Sequence, residues 1–247
     1  MSAKASTRSI FGGGASGAIS DLFSDAPVGE LFGNGRGNWA SDFFDDLTAE
    51  QQKDIIDRAY PNRAAVWDNS EIFVCWEEFE DEFADERALV EKAVEDSWAA
   101  ASALKFSGWQ QCLENSVGIR ITVQDKGPHT LALGKFMDGM KGGMVLNFTY
   151  KKWTKPCSKN AKRRKFCTLT TAVHEFGHAL GFSHEQNRPD TPDDCGRKKL
   201  KQGEDGDDTQ MTPWDPHSVM NYCNLDYLNN GKLSDFDKKA VAEIYGT

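Results

Sequence analysis

Residues 174–184 read His174-Glu175-Phe176-Gly177-His178-Ala179-Leu180-Gly181-Phe182-Ser183-His184, which holds three of the chain's five histidines in the pattern HExxHxxGxxH. On an α-helix each residue turns about 100°, so His174 and His178, four apart, share one face. Both imidazoles can then reach a single Zn²⁺ at roughly 2.0–2.1 Å. His184 lies six residues past His178, about 240° around a continuing helix. It joins the site only if the helix stops and the chain turns back. Gly181 marks that turn, because glycine takes a positive φ at a helix end without steric cost. Three nitrogen ligands leave one coordination position for water, and Glu175, which points away from direct ligation, supplies a base. That is the layout of a catalytic zinc site, since a structural site is closed by four protein ligands. An amphipathic helix with surface histidines would explain neither the clustering nor the glycine, and a purely structural zinc has no use for Glu175.

From these residues the chain resembles the metzincin metallopeptidases, and within them the astacin family, whose motif reads HExxHxxGFxHExxRxD. Phe182, Glu185, Arg188 and Asp190 continue the match. Downstream, Asp215-Pro216-His217-Ser218-Val219-Met220-Asn221-Tyr222 resembles the astacin Met-turn, with Asn221 where the family usually has histidine. The resemblance covers about residues 70–247. It implies an α+β fold: a zincin-like catalytic domain with a twisted mixed sheet, a long zinc helix, a Met-turn and a C-terminal helix. It implies that Met220 floors the metal site and that Tyr222 is an added metal ligand. Tyr222 would also be catalytic, leaving the metal as substrate enters and then bonding the oxyanion. Glu175 would be the general base. Glu185 would anchor a mature N-terminus.

The 247 residues, 39% of them hydrophobic, can bury one full core with an appendage. A net charge of −9 disfavours nucleic acid and anionic membrane as partners. No apolar stretch approaches the ~20 residues of a membrane span. The N-terminus has no apolar stretch of the kind found in a secretory signal. The six cysteines form no CxxC pair, and their even number suggests disulfides. Cys157–Cys167 would close a basic loop and Cys195–Cys223 would tie the segment after the third histidine to the Met-turn. Reduced, buried cysteines are the alternative.

Residues 1–46, rich in Gly, Ser, Asp and Phe, read as a poorly ordered leader or a propeptide. No cysteine lies in residues 1–74, so a cysteine block of the metal from this segment is excluded. Asp21, Asp25, Asp42, Asp45 and Asp46 are candidate aspartate blockers. Residues 47–69 form a helical extension, with a Thr48/Gln51 capping box and a stop at Pro61. The catalytic domain spans 70–247. Strands are expected at 72–76, 119–123 and 144–148, with helices at 86–105 and from Ser234 to Tyr245. Met144–Phe148 is either the edge strand that pairs with substrate or an interior strand. His129 and His217 read as loop residues. The acidic run Asp193-Asp194 and Glu204 to Asp208 reads as a solvated loop; Ca²⁺ there is unsupported.

The expected function is a secreted zinc endopeptidase with one Zn²⁺ per chain, a protein or peptide substrate and a monomeric state. The alternatives are a non-catalytic zinc-binding protein and a narrow-specificity exported effector protease.

Overall fold

The computed structural model describes residues 63–193, 195, 212–224 and 226–247. The expected leader, the helix from Thr48, the five candidate aspartates and the acidic run from Glu204 to Asp208 lie outside these residues.

Five strands form one mixed sheet: β1 (Glu71–Trp76), β2 (Lys105–Gln111), β3 (Ile119–Val123), β4 (His129–Thr130) and β5 (Met144–Leu146), in the order β2-β1-β3-β5-β4. The first four in that order run parallel, and β4 pairs antiparallel with β5. β1 turns Ile72, Val74 and Trp76 into the core, and β3 is buried over Ile119–Thr122, so both strands form where the apolar pattern places them. β5 is flanked on both sides by β3 and β4, so the edge-strand reading of Met144–Phe148 is overturned; β4 is outermost. His129, expected in a loop, falls in β4.

The helix expected over 86–105 ends early. α1 (Ala84–Val94) passes into a π-helical turn over Glu95–Ala99. There the Ser97 and Ser102 hydroxyls donate to the carbonyls of Ala93 and Trp98, offering the backbone an alternative to continued helix. From Lys105 the chain pairs with β1 instead. β2 carries no alternating pattern because Gly108 and Trp109 take positive φ (98° and 58°) and the register slips at Val74/Cys75.

After α2 (Lys155–Ser158) comes the long helix α3 (Ala161–Ala179), capped by the side chain of Asn160, which accepts from the Arg163 amide. From Phe166 to Ala179 every α3 residue is buried. Trp98 donates its indole N–H to the Val173 carbonyl at 2.8 Å and stacks on Phe182. α4 (Asp235–Tyr245) closes the described chain, with Ser234 and Asp237 forming a reciprocal capping box. Disulfides join Cys75–Cys112, Cys157–Cys167 and Cys195–Cys223, so both expected pairs form.

Candidate metal centre and active site

The turn that brings back the third histidine is a Schellman motif. Phe182 N–H donates to the Gly177 carbonyl and Gly181 N–H to that of His178, with Gly181 at φ 92°. Two more distant groups satisfy the last carbonyls of α3. The Trp67 indole N–H donates to Ala179 at 2.7 Å, and the Tyr245 hydroxyl donates to Leu180 at 2.8 Å. Segments before and after the catalytic helix in sequence thus fix its exit.

The consequence is that the Nε2 atoms of His174, His178 and His184 converge, at mutual distances of 3.2, 3.1 and 3.3 Å. His174 Nδ1 faces the Val219 carbonyl at 2.9 Å, and His178 Nδ1 faces the Phe182 carbonyl at 2.8 Å. A carbonyl only accepts, so both Nδ1 atoms carry the hydrogen and both Nε2 atoms of the neutral rings are bare. Bare lone pairs at these distances repel one another unless a cation lies between them. Ligands at 2.0–2.1 Å around a tetrahedral zinc are separated by about 3.3–3.4 Å, which this triangle fits. Burial pushes His174 down to about 4, and burial followed by the other two histidines pushes His184 well below the usual imidazole range. Both rings are therefore held in the neutral form that binds a metal.

Glu175, next to His174 in α3, is buried, and among the described residues its Oε2 has no hydrogen-bond partner. Burial pushes its carboxyl well above the usual range. The Tyr222 hydroxyl lies 3.2 Å from His174 Nε2, so the phenol reaches the same point as the three imidazoles. Met220 is buried under α3 against Gly177. Its carbonyl accepts from the Glu185 amide at 3.0 Å, joining the residue after His184 to the Met-turn. The substituted Asn221 is fully buried and has work for both ends of its amide: Nδ2 donates to the Asp215 carbonyl and Oδ1 accepts from the Cys223 amide.

Residues 163–242 match the Astacin peptidase family. That segment, about a third of the chain, runs from α3 through the Met-turn into α4 and is similar to the astacin peptidases. The chain is also similar to the structure of myroilysin, at 20% identity and a TM-score of 0.54, over 76% of this chain and 99% of that one. A further similar structure is High choriolytic enzyme 1, a hatching enzyme zinc-protease from Oryzias latipes (Medaka fish), at 18% identity and a TM-score of 0.46, over 72% and 93%. No curated protein sequence matches it. The fold shared with myroilysin agrees with the metzincin architecture expected from the zinc motif.

Several site residues carry no sequence signal. The carbonyls of Val219 and Phe182 orient two rings, and no side-chain pattern announces a backbone acceptor. Gln186, whose Oε1 accepts from the Tyr222 amide at 3.1 Å, sits at a variable position of the motif. Glu185 accepts from the Asp215 amide and pairs with Arg188 at 3.3 Å, and Arg188 in turn pairs with Asp190 at 2.8 Å. The exposed His217 donates its amide to Asp215 and stays outside the metal cluster.

Proposed function

We propose that the chain cleaves internal peptide bonds, with His174, His178, His184 and Tyr222 holding one Zn²⁺ and Glu175 as general base. The observation that carries this reading is the convergence of three Nε2 atoms, together with a buried carboxylate oxygen on the adjacent Glu175 that has no partner among the described residues. Zinc in such a site polarises a carbonyl and lowers the pKa of bound water toward neutrality.

Glu175 takes the proton from the attacking water and returns it to the departing amine. Its burial keeps competing solvent from that oxygen. Tyr222 turns its hydroxyl from the histidine cluster toward the developing oxyanion and donates a hydrogen bond to it. Val219 and Phe182 hold their rings in one tautomer through both steps. An extended substrate lies along the sheet at β4, the edge strand beside β5, in the role for which Met144–Phe148 was one candidate reading. Residues 70–247 form the catalytic domain, preceded by a leader or propeptide over 1–46 and an extension over 47–69. Three disulfides support an oxidising, extracellular setting, and among the described residues no helix is long and apolar enough to cross a membrane.

The test is cleavage of an unfolded protein by the wild type, by the chelated protein and by Glu175→Gln. The reading requires cleavage only by the first, with Glu175→Gln still holding its metal. A metal-loaded wild type that cleaves no unfolded protein would favour the non-catalytic alternative.

A further inference from the structure

Eight of the chain's 29 lysines and arginines lie between Lys151 and Lys165, and none of its 38 acids does. The metal centre makes no use of them. α2 and the start of α3 present this stretch, and Cys157–Cys167 cross-links the two. Lys151, Lys152, Lys155, Lys159, Lys162 and Lys165 are exposed. Among the described residues, none of these six ammonium groups pairs with a carboxylate.

Helix stability does not account for the charges. The N-terminal end of a helix carries partial positive charge, and cations there oppose it. α3 nevertheless opens Ala161-Lys162-Arg163-Arg164-Lys165 with no acid in its first turn. The neutral Asn160 cap already satisfies the Arg163 amide. Folding would favour acids at these positions, so helix stability does not explain the cations.

We propose that this basic face docks an acidic stretch of the polypeptide substrate, a proposal that rests on the peptidase reading above. Lys162 precedes His174 by twelve residues on the same helix, a rise of about 18 Å along its axis with about 120° of rotation around it. A substrate docked here reaches the metal centre with at least about five to six extended residues, the length that covers this axial rise. A nucleic acid is the other polyanion such a face could take, and two observations disfavour it. The one aromatic within 151–165, Trp153, is partly buried against the core and packs on Tyr150, so no fully exposed ring is offered to a base. The chain as a whole carries −9 despite the patch, which repels a polyanion running beyond it. A run of a few Asp or Glu residues fits within the patch.

The test uses two fluorogenic peptides with one cleavable core, the second carrying four glutamates about six residues from the scissile bond. In the wild type the acidic peptide should have a kcat/KM about tenfold higher at low ionic strength, through KM. The advantage should vanish at high salt and in the triple variant Lys159→Glu/Lys162→Glu/Lys165→Glu, while the core peptide is cleaved equally by both proteins. The variant's Tm should match or exceed that of the wild type, because an acid at position 162 complements the helix; this separates lost docking from lost folding. Fluorescence anisotropy of the labelled acidic peptide on Glu175→Gln reads docking even if nothing is cleaved, so a failed peptidase reading and a failed docking site give different results. Equal kcat/KM for the two peptides in the wild type, an advantage that survives in the variant, or binding of single-stranded DNA with none of the acidic peptide would overturn the proposal.

Discussion

Gly177 and Met220 meet so closely that a Cβ on the glycine would overlap the methionine Sδ and approach Trp98 Cζ2 to 3.0 Å. Helix α3 can therefore lie directly on the Met-turn only because residue 177 has no side chain. In an exposed helix, Gly→Ala would gain about 1 kcal/mol. Here Met220 is packed and Trp98 is held by its bond to Val173, so overpacking of about 1–3 kcal/mol outweighs that gain. Gly177→Ala should lower stability in urea unfolding. Combined with Met220→Ala, it should cost at least about 1 kcal/mol less than the sum of the single variants. Strict additivity would show that the two residues do not share this space.

Asp237 joins the terminal helix to the Met-turn. Its carboxylate accepts from Ser218 Oγ and from the Val219 and Ser234 amides, while the Val219 carbonyl accepts from His174. Burial pushes its pKa up from 3.8 to about 6, against those hydrogen bonds. The folded state thus holds a proton that the unfolded chain has released, and stability falls as pH rises from about 4 to about 6, levelling above. Asp237→Asn keeps an acceptor for both amides without the titration, so its Tm should fall less steeply over that range. Asp237→Ala orphans two buried N–H groups and should cost about 2–4 kcal/mol at any pH. An Asn variant with the wild-type slope would assign the pH dependence to another group.

Arg188 is buried with Glu185 and Asp190 on either side. Removing it leaves the largely buried Glu185 without its cation, a loss of about 3–5 kcal/mol. Arg188→Met should therefore be strongly destabilised, and adding Glu185→Gln should restore part of the loss. A double variant no more stable than Arg188→Met would mean that the pair is not coupled.

Tyr222→Phe separates chemistry from metal retention. Three imidazoles remain, so zinc content should hold, while kcat falls about 10²-fold with KM little changed, as for loss of an oxyanion donor. Undiminished kcat would remove Tyr222 from the mechanism.

The metal site was legible because its logic is local. Spacing on one helix pairs His174 with His178, and one glycine returns His184. The capping box at Ser234 and Asp237 is likewise a short pattern. What the sequence hid depends on distant segments. β2 is masked by its bulge at Gly108 and Trp109, and β4 is two residues long. Whether Met144–Leu146 is edge or interior depends on β4, which nothing within 144–148 reveals. Trp67 and Tyr245 cap α3 across 112 and 65 residues of chain. Cys75–Cys112 follows from the parallel pairing of β1 with β2, so missing the second strand hid the disulfide.

The zinc content of the purified chain, measured by inductively coupled plasma mass spectrometry beside His184→Ala, tests the central claim most directly. Three converging imidazoles predict one zinc per wild-type chain retained through dialysis and far less than one in the variant. A wild type without zinc, or a variant holding as much as the wild type, would contradict it.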